Sequence, residues 1–492
     1  MHAINVLGAA GVASAGFTSI RAANSSDPFA DWNAETAFTN KNFTVTPKGV
    51  LNAYERCGGI GHYGPTACSQ GIDVTCIFHN DYYSQCWPVT DPNAPVEPKP
   101  AGPKPAKLSP LVSGKPVGFA SDVTGGGDAE PVRPKDVNEL SDLLQDPEPR
   151  VIVLDKTFDY TTALGTGVID GCKPWGELED KCQVALGLGG DWCNREKPDA
   201  PKVQGLEFNK AGISPLWIRS HKTIIGEGDK GIVVGRSIRM MGVENIIIQN
   251  VKFEKINEQY VWGGDGLDVW GSNNIWLDHI TISRIGRQMV VVHEGSNQNI
   301  TISSVHFDGF TEYSSKCGTE SSTSHYWMEI CRGSKFSGQD DSITFINNYM
   351  DHFSGRAPQV GDKNETSVSL THVVNNVWEA VSSEAHAFEV LTGGVVLAEG
   401  NFVYNTSIVL DETHGVGLVY TPQGSADDSQ CTKAIGRSCV PNTLVQSGAF
   451  NASKPATLDV PAWKEHSNYA IAEPADEKLR EKVKANAGFG KL

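Results

Sequence analysis

The sequence predicts an all-β protein, a solenoid of stacked parallel strands preceded by a small cysteine-dense module on a proline-rich tether. Three observations predict it. The first is a repeat in the large C-terminal part: Asn245–Phe253, Asn274–Ile282 and Asn299–Phe307 align residue for residue, each a short β-branched run that alternates apolar and polar positions. Degenerate copies follow at Ser342–Met350, Leu370–Trp378 and Val395–Val403, so that Val251, Ile280, Val305, Asn348, Asn376 and Asn401 fall at steps of 29, 25, 43, 28 and 25 residues. A period in the twenties, with strand patterning and no helical stretch, points to a parallel β-helix. The second is a run of nine prolines between Pro88 and Pro116, with little apolar periodicity. The third is four cysteines packed between Cys57 and Cys86.

Composition narrows the function classes. The 492 residues carry 41 Lys and Arg against 58 Asp and Glu, a net charge of 41 − 58 = −17. That balance argues against nucleic acid or an anionic membrane surface as partner, since both require clustered cations. No apolar run is long enough to span a bilayer. At the N-terminus, the short apolar stretch Ile4–Ala15 with the small-residue site Ala13-Ser14-Ala15 reads as a secretory signal, residues 1–16. Eleven cysteines suit an oxidising compartment, and six Asn-x-Ser/Thr triplets (Asn24, Asn42, Asn299, Asn364, Asn405, Asn451) agree with a secreted, glycosylated protein. Residues 17–50 are polar and carry no pattern.

The module at 51–87 is too short to build a sufficient apolar core, so disulfides must supply much of its stability. Four cysteines allow three pairings, and spacing does not choose among them. Exposed tyrosines on one face of so small a body can stack on the apolar faces of sugar rings. The text Cys57-Gly-Gly-Ile-Gly-His-Tyr-Gly-Pro-Thr-Ala-Cys68, followed by Asn80-Asp81-Tyr82-Tyr83-Ser84-Gln85-Cys86, resembles the fungal-type family 1 cellulose-binding module nearly end to end. The resemblance implies the pairs Cys57–Cys76 and Cys68–Cys86. It also implies a flat cellulose-binding face of Tyr54, Tyr82 and Tyr83 with Asn80 and Gln85 as polar partners. Residues 88–116 should then be an extended spacer, with the β-helix domain at 117–492.

Within the repeats, the step of 43 must contain a large side loop, roughly residues 311–341, carrying His325, Tyr326 and Trp327 and forming part of a functional wall. Asn347, Asn348, Asn375, Asn376 and Asn401 occupy turn-like positions where stacked amides can satisfy backbone groups. Three polar clusters lie on or just after repeat strands: Tyr260-Val-Trp-Gly-Gly-Asp265-Gly, Trp276-Leu-Asp278-His279 with Gly286-Arg287-Gln288, and Ser354-Gly355-Arg356-Ala357-Pro358. Asp278 and His279 read as a buried structural pair rather than as catalysts.

Together with Cys172-Lys-Pro-Trp175-Gly, Asp191-Trp192-Cys193, His325-Tyr-Trp327, His386-Ala-Phe-Glu389 and Leu397-Ala-Glu-Gly-Asn401, these clusters resemble the pectin lyase branch of polysaccharide lyase family 1, from about residue 118 to the end. The resemblance implies a right-handed parallel β-helix and β-elimination on methyl-esterified polygalacturonan. It makes Arg356 the base for the C5 proton, places Arg287 where the calcium-dependent branch holds a metal-ligating acid, and pairs Arg287 with the shared acid Asp265. It sets Trp175, Trp192, Trp262 and Trp327 along the substrate cleft, and it implies the disulfides Cys172–Cys193, Cys182–Cys317 and Cys431–Cys439, leaving Cys331 over. The expected enzyme is a secreted, monomeric endo-lyase with no metal and no cofactor, acting on pectin and anchored to cellulose or a similar wall polysaccharide.

Two points stay open at the level of sequence. A guanidinium, with a reference pKa of about 12.5 or more, makes a poor base, so Arg356 is equally readable as a charge clamp, with the proton taken by another group. The family pattern has Lys three residues after this Arg; here Gln359 stands there. That departure makes a catalytically weak wall-binding protein an alternative, and a calcium-dependent pectate lyase is the nearest rival among enzymes.

Overall fold

The computed structural model describes residues 102–492 except 176–180, 189–191, 294, 320–321, 332–339, 363–366, 382–383, 416, 425–427, 453–456 and 459–460; before residue 102 it describes only five short strands between Val50 and Pro88. Three of these, Arg56–Gly58, Tyr83–Pro88 and Val74–Asn80, form an antiparallel sheet in that order. Tyr54 and Tyr82 lie outside the described residues, as do the side chains of Tyr83, Asn80 and Gln85. The pairings Cys57–Cys76 and Cys68–Cys86 are likewise outside, save that Cys68 is disulfide-bonded.

The large body is a parallel β-helix. Each coil gives one strand to each of three sheets, of eight, ten and nine strands, and every pairing within them is parallel. One coil is Leu267–Trp270, Asn273–Asp278 and Thr281–Ile285; the next is Val290–His293, Gln298–Ser303 and His306–Asp308. The repeat anchors Val251, Ile280 and Val305 are fully buried and stack in the core. Parallel stacking lines like residues up with like, so one side-chain amide can serve the coil above. Asn348, Asn376, Asn401 and Asn442 do so, each Nδ2 reaching the next Oδ1 at 2.9–3.1 Å while the same oxygens accept backbone N–H groups. Asn347 and Asn375 turn the chain in left-handed conformation, φ 56° and 52°.

The structure adds two features to the sequence reading. Helix Val137–Gln145, capped by Asp136, buries Leu140 and Leu144 in the core, and helix Glu477–Asn486 packs Leu479 and Val483 beside Val377 and Phe402. Residues 102–116, read as part of the 88–116 spacer, instead run along the solenoid. Val112 is buried beside Ile225 and Trp276, and the Ser113 backbone exchanges two hydrogen bonds with the Gln249 amide at 2.8 and 2.9 Å. Enough apolar surface at Leu108 and Val112 overrides the proline signal there.

The side loop after Asp308 is present. It is tied down by Cys182–Cys317 and by His325, whose N–H lies 2.9 Å from both the Gly309 and His352 carbonyls. Disulfides Cys172–Cys193 and Cys431–Cys439 also match expectation, and Cys331 is a buried free thiol.

Candidate active site on the eight-stranded sheet

Register decides which side chains leave the eight-stranded sheet. Val269, Val292, Cys331, Val360 and Val390 enter the core. Their alternates Asp268, Val291, Ile330, Gln359 and Glu389 pair in register and form an outward row. Arg287 precedes one of these strands, Val290–His293, and Arg356 precedes another, Gln359–Val360.

Asp265 accepts from Arg287 Nη1 at 3.1 Å through one oxygen and from the Gln288 N–H at 2.9 Å through the other. Burial pushes its carboxyl up to about 6, against the pull of Arg287. The pair is therefore ionised at neutral pH. The Arg287 guanidinium lies 4.6 Å from the centre of the Trp262 ring. Its carbonyl oxygen lies 2.7 Å from His325 Nε2, and burial drives that imidazole down to about 4, so it is a neutral donor. Trp327 Nε1 donates to Gln183 Oε1 at 3.1 Å, and Gln183 Nε2 donates to the Gly286 carbonyl, which fixes the chain just ahead of Arg287.

A second acid just beyond the cluster, Asp268, is held by Arg239, with Nε and Nη2 at 2.8 and 2.7 Å from Oδ2. Arg239 lies 4.7 Å from the Trp270 ring. Sequence reading missed Arg239, although its place one coil before Asp268 in a strand of like register was a usable signal.

Arg356 sits at φ 48°, with its backbone locked: the Glu329 N–H donates to its carbonyl at 2.8 Å, and Ala357 bonds Ala387 and Trp378 on either side. Its guanidinium lies 5.0 Å from the Trp327 ring and 5.7 Å from that of Tyr326, and Nε is 3.9 Å from Glu389 Oε2. Glu389 also accepts from Gln359 Nε2 at 2.8 Å and Tyr326 Oη at 3.2 Å, and meets His386 Nε2 at 2.6 Å. Burial pushes its carboxyl up, but the His386 hydrogen bond and the charge of Arg356 outweigh it and hold the carboxyl down at about 2. Gln359, where the family pattern has Lys, thus spends its amide on Glu389.

The four tryptophans expected to line a cleft are gathered in one cluster with ring centres 6.3–6.5 Å apart. Trp192, Trp262 and Trp327 are 1–3% exposed and only Trp175 is half-buried. Trp262 and Trp327 carry the two guanidiniums, so cation–π contact occupies faces that were expected to stack on sugar. Asp278 and His279 are on the ten-stranded sheet, bonded to each other at 2.7 Å and to Ser303 and Gln249, a structural pair as expected.

Residues 208–492 match the family described as pectate lyase, and residues 53–83 match the fungal cellulose binding domain. Pectin lyase B of Emericella nidulans is 39% identical over 77% of this chain and 94% of its own. A probable pectin lyase B of Aspergillus niger is 40% identical over the same shares. Among solved structures, a pectate lyase from Acidovorax avenae subsp. citrulli aligns with TM-score 0.47 and 16% identity over 80% of this chain and 98% of that one. With a family model matched over more than half its length and relatives near 40% identical covered almost entirely, the chain belongs to the pectate lyase family, in its pectin lyase group.

Proposed function

We propose that the protein cleaves methyl-esterified polygalacturonan within the chain by β-elimination, needs no metal to do so, and is held on cellulose by its N-terminal module. One observation carries the reading: the two neighbouring acids already have a guanidinium partner, Asp265 with Arg287 and Asp268 with Arg239. Elimination removes the proton on C5 and builds charge on the adjacent carboxyl oxygens. A methyl ester starts neutral, so fixed cations suffice to stabilise that charge. A free carboxylate starts charged and calls for more. The relatives named pectin lyases support the same substrate, and the matched cellulose-binding model supports the anchor.

The organisation that follows is a signal at 1–16, a module at 51–87 and the lyase domain after a proline-rich spacer, in a secreted monomer. No helix among the described residues is long and apolar enough to cross a membrane. Of the triplet asparagines among the described residues, Asn451 is exposed, whereas Asn299 and Asn405 spend their amides on Asn273 Oδ1 and the Ala380 carbonyl. Asn451 is the acceptor favoured here.

The test uses highly methylated pectin and polygalacturonate, each with and without a calcium chelator, and follows the ultraviolet absorbance of unsaturated uronides. Chelator-insensitive product from the ester is expected. Product only from polygalacturonate with calcium would instead make it a pectate lyase, and none from either would leave a wall-binding protein. Tyr82→Ala is expected to weaken cellulose binding and leave the rate on soluble pectin unchanged.

A further inference from the structure

The outward row of the nine-stranded sheet carries a polar cluster that the elimination does not use. Strands His306–Asp308 and Tyr349–Asp351 pair in register, with Asp308 beside Asp351, while Phe307 and Met350 fill the core. Two carboxylates on adjacent rungs repel each other. Arg480 and Lys484 lie on this face but bind Glu379, one rung beyond Asp351. Imidazoles meet Asp351 instead. His306 Nε2 lies 3.3 Å from Asp351 Oδ1, and His352 Nδ1 lies 3.6 Å from Oδ2. The second distance is too long for a hydrogen bond, and His352 Nδ1 has no hydrogen-bond partner among the described residues. Donor atoms of His306, Asp308 and Asp351 all lie within 4.8 Å of one another. A tetrahedral ion with bonds of about 2.0–2.1 Å needs neighbouring donors about 3.3 Å apart; the His306–Asp351 pair already has that spacing. Two of the side chains are held from behind: the Tyr349 ring stacks on His306 with centres 5.0 Å apart, and Asp308 Oδ1 accepts the Phe310 N–H at 3.2 Å. All four side chains are half-buried, so an ion can reach them from solvent.

We propose that His306, Asp308, Asp351 and His352 bind one divalent ion of the zinc class, and that this ion clamps the base of the side loop. The donor set selects the class: two imidazoles and two carboxylates suit zinc, whereas calcium takes about six to eight oxygens. The place in the chain gives the consequence. His306 and Asp308 come just before the side loop, and Asp351 and His352 come just after its return. The loop leaves at Gly309, where a Cβ would collide with the His352 carbonyl, and the His325 N–H lies 2.9 Å from the carbonyls of both Gly309 and His352. Tyr326 and Trp327, the next residues, put their rings against Arg356. An ion joining Asp308 to Asp351 therefore ties together the two ends of the loop that carries these rings. The cluster is on the nine-stranded sheet and the active-site arginines belong to the eight-stranded one, so the ion takes no part in the elimination. Chelator-insensitive product remains the expectation, and the proposal stands apart from the choice of substrate.

The experiment strips the full chain with a chelator, dialyses it, and titrates it by calorimetry with zinc chloride and, separately, with calcium chloride. Thermal unfolding is then followed with and without excess zinc. Wild type, His306→Gln and Asp351→Asn are compared. Wild type is expected to take up zinc at one site at least about 10-fold more tightly than either variant, and to bind calcium at least about 10-fold more weakly than zinc. Excess zinc should raise the wild-type Tm by about 3 °C and shift neither variant. The shift is read within each protein, so a variant that is merely less stable does not imitate a lost site, and two variants guard against one that fails to fold. Weak uptake by histidines elsewhere is common to all three proteins and cancels in the comparison. Equal zinc affinity and an equal Tm shift in all three would mean an adventitious ion only and would overturn the proposal. Absence of zinc uptake by wild type would overturn it too, and calcium bound as tightly as zinc would overturn the assigned class.

Discussion

Glu329 and Glu389 lie two strands apart on one sheet, each 1% exposed, yet they hold opposite charge states. Glu329 is in register with Val290, on the face that fills the coil, and neither of its oxygens finds a hydrogen-bond partner among the described residues. Burial alone drives its carboxyl well above the ordinary range, so it is a neutral acid. Glu389 faces outward, meets four polar groups and stays ionised down to about pH 2. Depth does not set the charge here. The side of the sheet does, because one side offers donors and the other only Cys331, Val292 and their neighbours.

That contrast can be broken by experiment, and the largest effect is expected at Glu389. Glu389→Gln removes a buried counter-ion from Arg356 and His386 and should cost about 3–5 kcal/mol in denaturant unfolding at neutral pH. Its depressed carboxyl contributes stability above the ordinary carboxylate range and loses it as pH falls towards about 2, so the gap to wild type should shrink in acid. A loss under about 1 kcal/mol at pH 7 would show that the donors do not hold the charge.

Asp265→Asn should come next and cost less, about 1–2 kcal/mol. Asp265 has an ion pair but also a raised carboxyl near 6, so much of its attraction to Arg287 is offset by desolvation. A raised acid penalises the native state above its pKa, and the penalty is relieved as pH falls through about 6. The Asp265→Asn variant should therefore compare most favourably with wild type at higher pH, and a comparison that worsens with pH would contradict the shift.

Glu329→Gln should do little near pH 4, because both side chains are neutral there. As pH rises the unfolded chain gains a charged Glu329 that the folded chain refuses, so the variant should gain on wild type by on the order of 1.4 kcal/mol per pH unit above the carboxylate range. A flat difference would mean that Glu329 ionises in the fold. The smallest effect is at Cys331, on the same inner face. Burial pushes its thiol well up, and a thiol reagent should label nothing in the native protein and one site after unfolding. More than one labelled site would show that the eleven cysteines do not form five pairs.

The solenoid was legible because a parallel β-helix repeats its solution coil by coil. Val251, Ile280 and Val305 face the same interior, and the amides of Asn348, Asn376 and Asn401 must cap the same turn. The two helices were hidden by being unique. Each covers surface that the repeats leave open, and Leu140, Leu144, Leu479 and Val483 make too short a pattern to stand out. Arg287, Asp265 and Arg356 could be named from motifs, and Arg287–Asp265 could even be paired. The tryptophans could be named but not assigned, since an indole against a guanidinium and an indole against a sugar have the same one-letter code.

By itself the chain's text determined the repeat and the side loop with its tyrosine and tryptophan, and the family resemblance it carries placed Arg287 beside Asp265. Only the tertiary structure decided which carboxylates are charged, that Asp268 belongs to Arg239, and that Glu389 joins Arg356 to His386. Periodicity is local and survives in a string. Ionisation depends on desolvation and on charged partners from other coils, as Arg356 is for Glu389, and these meet only when the strands stack in register.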